Sequence, residues 1–169
     1  DSKSKNWKEV GPNASATSKA TFDLNFGEWH NGQKMDMNDI IYSTYFLLEW
    51  GSEKDENDKT FDSDYSPQAA QTAKTLVGIK PIDDNTIEVY TNYWHFDEGE
   101  IASWASLWSS LPWEVMAAME KTVIDGKASF SRSESISKNV NWLSLIIPND
   151  AKMIQNQLED FKSSNFIPD

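Results

Sequence analysis

The chain has 169 residues, of which 12% are aromatic, and its formal net charge is −12. These values predict one folded domain over residues 1–169, because a disordered acidic segment would be poor in large aromatic side chains. The negative charge disfavours nucleic-acid binding, the absence of cysteine excludes disulfides and thiolate chemistry, and the absence of a run of about 20 apolar residues predicts no membrane span.

The N-terminal part is predicted to contain one strand and one tight turn. Residues 1–20 are polar and rich in Ser, Lys and Asn, and we expect them to be irregular. Thr21 to Phe26 then alternate apolar and polar side chains, which is the period of a half-buried strand. Asn31 and Gly32 follow, a pair that strongly favours a tight turn.

The clearest predicted helix comes after this turn. Asp36 is suited to the N-cap, and Asp39 lies three residues later, as in a capping box with Asp in place of Glu. From Ile40 to Trp50 the apolar residues form one wide face, and Gly51 is suited to the C-terminal cap. The pattern therefore predicts an amphipathic helix that ends at Gly51.

A short helix and a hairpin are predicted next. Ser66 followed by Pro67 is typical of an N-cap and a first turn, and we expect this helix to end near Lys74. Leu76–Ile82 and Thr86–Tyr90 are strand-like runs separated by a polar turn sequence. Their spacing predicts two antiparallel strands.

Residues 52–66 form a predicted loop whose acidic side chains suggest calcium. An EF-hand loop needs alternating oxygen ligands and a glycine at its sixth position, and Asp55–Asp64 has neither. We therefore interpret the segment as a solvated acidic loop.

A zinc site is not favoured, because such a site needs three or four clustered ligands and the two histidines, His30 and His95, are isolated. No cofactor or metal is expected.

The C-terminal half is mainly helical in pattern. Helices are predicted over Glu100–Leu111, from Pro112 to Ile124, and from an N-cap at Asn149 or Asp150 to Phe161. Residues 127–147 have no clear pattern. The order of elements predicts an α+β fold in which several helices pack against a small, mainly antiparallel sheet.

The segment from Phe26 to Ser43 resembles a signature of one protein family. In extracellular solute-binding proteins of the oligopeptide, dipeptide and nickel class of ABC transporters, a strand ends in Trp-His-Asp-Gly and a polar stretch leads to an Asp-Val-Val/Ile helix start. The matching residues here are Trp29, His30, Gly32, Asp39, Ile40 and Ile41, with Asn31 in place of the usual Asp. Val77–Val89 and Leu111-Pro112 are similar to later family segments, so the resemblance covers roughly residues 20–120.

The resemblance implies the substrate-binding component of an ABC importer. Such a protein binds an oligopeptide or a similar small solute outside the cell, where it is anchored to the membrane, and delivers the solute to the permease. Family members are several times larger and have two lobes and an extra domain near the N-terminus. We therefore expect this chain to be a fragment of the N-terminal lobe, namely the extra domain or part of it, and not an enzyme. Most of the binding cleft is then expected to lie outside this chain.

The matching residues are expected to have a structural role. In the family, the motif that contains Trp29, His30, Gly32 and Asp39 serves as an architectural corner. We therefore expect Trp29 to pack in the interior and His30 to bond locally beside the turn.

The best ligand-binding candidates are Trp94, Trp104 and Trp108. Tryptophan offers a large rigid surface that stacks on sugar rings or peptide side chains. The competing interpretation is core packing, which the helical spacing of Trp104 and Trp108 favours. Two other functions stay open: a hydrolase that uses a carboxylate pair such as Asp97 and Glu100, and a surface interaction or adhesion domain.

Overall fold

A three-stranded antiparallel sheet lies at one side of the molecule. The computed structural model describes residues 6–165, which form six helices and five short strands. The sheet order is β1-β3-β2, with β1 at Ser18–Asp23, β2 at Leu76–Pro81 and β3 at Thr86–Thr91. The prediction of an α+β chain with a small antiparallel sheet is confirmed at this level.

The position of β1 corrects the prediction. The strand was expected over Thr21–Phe26 after irregular residues 1–20, but it begins at Ser18 and ends at Asp23. The reason lies in its partner, because Asp23 pairs with Thr86, the first residue of β3. One further backbone bond, from Leu24 N–H to the Asn85 carbonyl at 2.7 Å, joins the chain to the hairpin turn. Residues 1–5 lie outside the described part.

The predicted hairpin is confirmed, and its turn is held by one carboxylate. β2 and β3 pair antiparallel. Asp83 Oδ1 accepts the backbone N–H groups of Asn85 (2.9 Å) and Thr86 (2.8 Å). Short polar side chains that accept from the backbone two residues later are characteristic of such turns.

The first helix, α1, spans Met37–Trp50 with Asp36 as N-cap, and the predicted capping box with Asp39 is present. Gly51 is the C-cap, but its φ of −92° is right-handed. Glycine is needed there for space, because a Cβ would lie 2.2 Å from Ala69 Cβ on the next helix.

The next helix, α2, spans Ser66–Thr75 and packs against α1. Its N-cap is Tyr65, so the expected cap at Ser66 is wrong by one residue. The preceding loop is largely exposed, as predicted, although Asp62 within it is buried.

The third helix, α3, is shorter than predicted. It spans Glu98–Ala105, whereas the sequence pattern predicted Glu100–Leu111. Ser106 is extended (ψ 133°), and its hydroxyl donates to the Ser103 carbonyl, a bond that competes with continuation of the helix. Helix α4 then spans Trp113–Ile124 after Pro112, in agreement with the prediction.

The unassigned region contains three short elements. β4 (Ala128–Ser129) and β5 (Asn141–Trp142) form a two-residue parallel pair around α5 (Arg132–Lys138). The last helix, α6, spans Pro148–Ser164 and is capped by Ile147, so neither Asn149 nor Asp150 is its N-cap.

The main core lies between α1, α4 and α6. It includes Phe46 and Trp50 of α1, Ala118 of α4 and Ile154 of α6. Phe130 closes it, with its ring edge-on to Trp50 at a centroid distance of 4.6 Å. Within residues 6–165, no helix has both the length and the apolar character needed to cross a membrane.

Candidate functional site

The three candidate tryptophans are exposed. Trp94, Trp104 and Trp108 have 68%, 38% and 81% of their surface accessible. The helical-spacing argument for burial fails because α3 ends at Ala105, which leaves Trp108 outside the helix. All three large aromatic side chains are thus in contact with solvent and accessible to a ligand.

Trp104 is held in a fixed position. Its indole stacks on Tyr93 with centroids 4.5 Å apart and planes inclined by 13°. Its Nε1 donates to Thr75 Oγ1 at 3.2 Å. His95 lies parallel to Tyr93 at 6.4 Å and against Phe96 at 4.3 Å, so this histidine belongs to an aromatic row.

A cavity of about 780 Å³ adjoins this row. It lies between α1, α2, the buried face of β3 and residues 103–111. Trp104 and Trp108 both line it, and Trp94 does not. The structure therefore brings two of the three predicted ligand-binding residues to one concave surface.

The sequence interpretation missed the polar wall of this cavity. Gln68, Gln71, Thr72 and Thr75 of α2 all line it. They follow the spacing i, i+3, i+4 and i+7, which places them on one helix face. A neutral polar stripe on a helix is a detectable signal, although solvated faces have the same pattern.

The motif residues form a separate corner outside the cavity. The Asp39 carboxylate is 1% exposed and accepts from Trp29 Nε1 (3.2 Å) and the Asp36 backbone (3.0 Å). Its other oxygen accepts the Trp113 N–H at 2.9 Å. Asp39 thus joins the turn to the first residues of both α1 and α4.

The remaining motif residues lie in the turn itself. Gly32 has φ +82°, a left-handed conformation that favours glycine, and its N–H donates to the Trp29 carbonyl at 2.8 Å. His30 is exposed at the tip. Gln33 anchors the turn to α4 through a 2.7 Å bond from its amide to Glu114.

A buried carboxyl group of α4 was not predicted. Glu120 is 6% exposed and accepts hydrogen bonds from Tyr42 Oη and Trp50 Nε1 of α1. Burial raises the pKa of Glu120 to about 7, with Glu49 acting in the same direction. Burial and the nearby Glu120 also raise the pKa of Tyr42. The group does not line the cavity.

One residue of the candidate hydrolase pair, Asp97, has a structural role as a helix cap. Asp97 is the N-cap of α3, and its Oδ1 accepts the Gly99 N–H at 2.9 Å. Neither Asp97 nor Glu100 lines the cavity.

The carboxylates of the acidic loop also accept hydrogen bonds from nearby backbone groups, as Asp58 does from the Lys54 N–H at 2.9 Å. Among residues 6–165, no cluster of three acidic or histidine side chains is arranged to hold a metal ion.

No protein-family model matches the sequence. No curated protein matches it either.

Proposed function

We propose that this chain belongs to the substrate-binding component of an ABC importer. The component binds an oligopeptide or a similar small solute outside the cell and delivers it to a membrane permease. The observation that carries the proposal is the cavity of about 780 Å³ with Trp104 and Trp108 in its wall. Small-molecule sites are typically concave, largely apolar and ~300–1,000 Å³ in volume.

The corner at Asp39 supports the same proposal. Two residues that resemble the family signature, Trp29 and Asp39, are joined by a hydrogen bond, and the buried Asp39 carboxylate also accepts from Asp36 and Trp113. An arrangement that ties a turn to two helix N-termini is suited to a scaffold role. We therefore propose a scaffold role for the motif and a ligand-binding role for the cavity.

The proposal assigns no covalent chemistry to the chain. The solute is held by polar groups and aromatic surfaces and released unchanged. In the complete two-lobed protein, we propose that this part of the N-terminal lobe forms one wall of the binding site, with the protein anchored at the outer face of the membrane.

The experiment is a thermal-shift screen of the complete gene product against peptides, oligosaccharides and nickel. We expect one class of solute to raise the melting temperature, with the ligand recovered chemically intact by mass spectrometry. Trp108→Ala should reduce the shift, whereas Trp142→Ala, at an exposed tryptophan that does not line the cavity, should leave it unchanged. Consumption of the ligand, or no stabilising solute in any class, would reject the proposal.

A surface interaction domain is the second candidate. Ile136, Trp142 and Ile146 are exposed apolar side chains, Ile146 at 92%. Large exposed apolar side chains are common at protein interfaces. This alternative predicts that Trp142→Ala weakens partner binding and that Trp108→Ala does not, the reverse of the solute-binding result.

A further inference from the structure

The cavity wall differs in charge from the rest of the molecule. A quarter of the chain, 25%, is charged, yet none of the described residues that line the cavity is charged. The wall combines serine and threonine hydroxyls and glutamine amides with aromatic and aliphatic side chains. Because an ionised group that leaves water for such a wall loses hydration without gaining a countercharge, the wall disfavours ionised ligands.

Thr91 has a buried hydroxyl group next to the cavity, unpaired within residues 6–165. The alternation of β3 places Ile87, Val89 and Thr91 on its buried face, and the last two line the cavity. Thr91 is 3% exposed, and its Oγ1 has no hydrogen-bond partner in the described part of the chain. A buried hydroxyl without a partner is costly, so a small local displacement that brings it to a polar group of a ligand in the cavity would be favourable.

Trp104 provides a preorganised stacking surface. Tyr93 covers one face of its indole, and Thr75 holds its Nε1. A ring fixed on two sides loses little conformational freedom when a ligand binds. Its apolar surface is suited to the C–H face of a sugar ring.

The α2 side of the cavity supplies neutral hydrogen-bonding groups. Gln68, Gln71 and Thr72 line it, and their side chains make no hydrogen bond with other described residues. An amide both donates and accepts, and a hydroxyl does the same. These groups match sugar hydroxyls, which also act in both ways.

We propose that this cavity binds a short neutral oligosaccharide, with Trp104 stacked on a sugar ring and Thr91 and Gln71 bonded to its hydroxyls. The inference rests on the proposed solute-binding function and narrows the solute class. A free peptide brings an ammonium and a carboxylate, for which this wall has no partner, whereas an oligosaccharide brings no charge.

The test is isothermal titration of the complete gene product with cellotetraose, maltotetraose and tetraalanine. We expect saturable binding of an oligosaccharide and none of tetraalanine. Thr91→Val should weaken binding by about fivefold to tenfold, the effect of one neutral hydrogen bond, without lowering the melting temperature of the free chain. Thr21→Val, an exposed strand threonine outside the cavity, is the matched control.

Gln71→Ala provides a second variant, on an exposed helix position where folding is not at risk. Unchanged affinity in both Thr91→Val and Gln71→Ala would overturn the assignment of this cavity. Binding of tetraalanine alone would overturn the saccharide assignment but leave solute binding intact. If none of the three ligands binds, the inference is rejected, while the solute screen on the complete gene product tests the broader function separately.

Discussion

The carboxylate of Asp39 accepts the backbone N–H of Trp113 at 2.9 Å, across 74 positions of the sequence. Trp113 is the first residue of α4, and its N-cap, Pro112, provides no side-chain cap. Asp39 therefore supplies to α4 the acceptor that this helix lacks, while it completes the capping box of α1. One buried negative charge lies at the positive ends of two helices, where it is favoured.

Replacement of Asp39 by Asn should destabilise the fold. The amide keeps one acceptor but turns an NH2 group towards donors, so at least one bond is lost and a buried donor is left unpaired. We expect a loss of about 2–3 kcal/mol in the free energy of unfolding, measured by urea denaturation. The control is Asp36→Asn, because Asn is as good an N-cap as Asp. Equal stability of the two variants would contradict the shared-cap role.

Stability should fall as pH rises towards neutrality because of Glu120. Its pKa is raised from 4.5 to about 7 on folding, so its contribution is fully present below the unfolded value. That contribution is lost as pH rises to the folded value, and reaches on the order of 3 kcal/mol. Burial raises this pKa and Glu49 acts in the same direction, whereas the hydrogen bonds from Tyr42 and Trp50 lower it.

Glu120→Gln is the variant that isolates this effect. The lowered pKa values of Asp83, Glu88 and Asp125 act in the opposite direction but are common to both proteins. The difference in unfolding free energy between wild type and Glu120→Gln should therefore change between pH 4.5 and 7, whereas the exposed substitution Glu159→Gln should give a flat difference. If the difference in unfolding free energy for Glu120→Gln also stayed constant over this pH range, folding would not raise the pKa of Glu120, which would contradict the prediction.

Gly51→Ala should disrupt the contact between α1 and α2. A Cβ at this position would lie 2.2 Å from Ala69 Cβ and 2.9 Å from the Tyr65 carbonyl oxygen. We expect a loss of about 1–3 kcal/mol, typical of overpacking, measured by thermal unfolding. Gly27→Ala is the control, because nothing lies within 4 Å of its added methyl group. If Gly51→Ala left the stability unchanged, α1 and α2 would be able to move apart at little cost in free energy.

Tyr93 and Trp104 should be energetically coupled. Their stacked rings predict a coupling of about 0.5–1.5 kcal/mol in a double-mutant cycle with leucine substitutions. The same cycle with Tyr93 and Trp142, which are not in ring contact, should give a coupling near zero. Additive effects for the first pair would indicate that Trp104 is not held by Tyr93, and would remove the basis for a preorganised stacking surface.

Several elements could be predicted because their determinants are local. The capping box of α1 needs residues only three apart, Asp36 and Asp39, and the hairpin turn is set by Asp83 bonding to its immediate neighbours. Such bonds join residues that are close together in the sequence, so a short window of sequence is enough to predict them. Helix boundaries were less predictable where a serine hydroxyl competes with the helix, as at Ser106.

The sequence by itself determined the acidic, cysteine-free character, the α1 helix, the hairpin and the α+β class. It also indicated Trp94, Trp104 and Trp108 as candidates, but not that the last two share a cavity with the neutral face of α2 and with Thr91. Only tertiary structure decided this. The cavity joins residues up to 87 positions apart, from Ser43 to Phe130, and long-range packing has no periodicity within a local window of sequence.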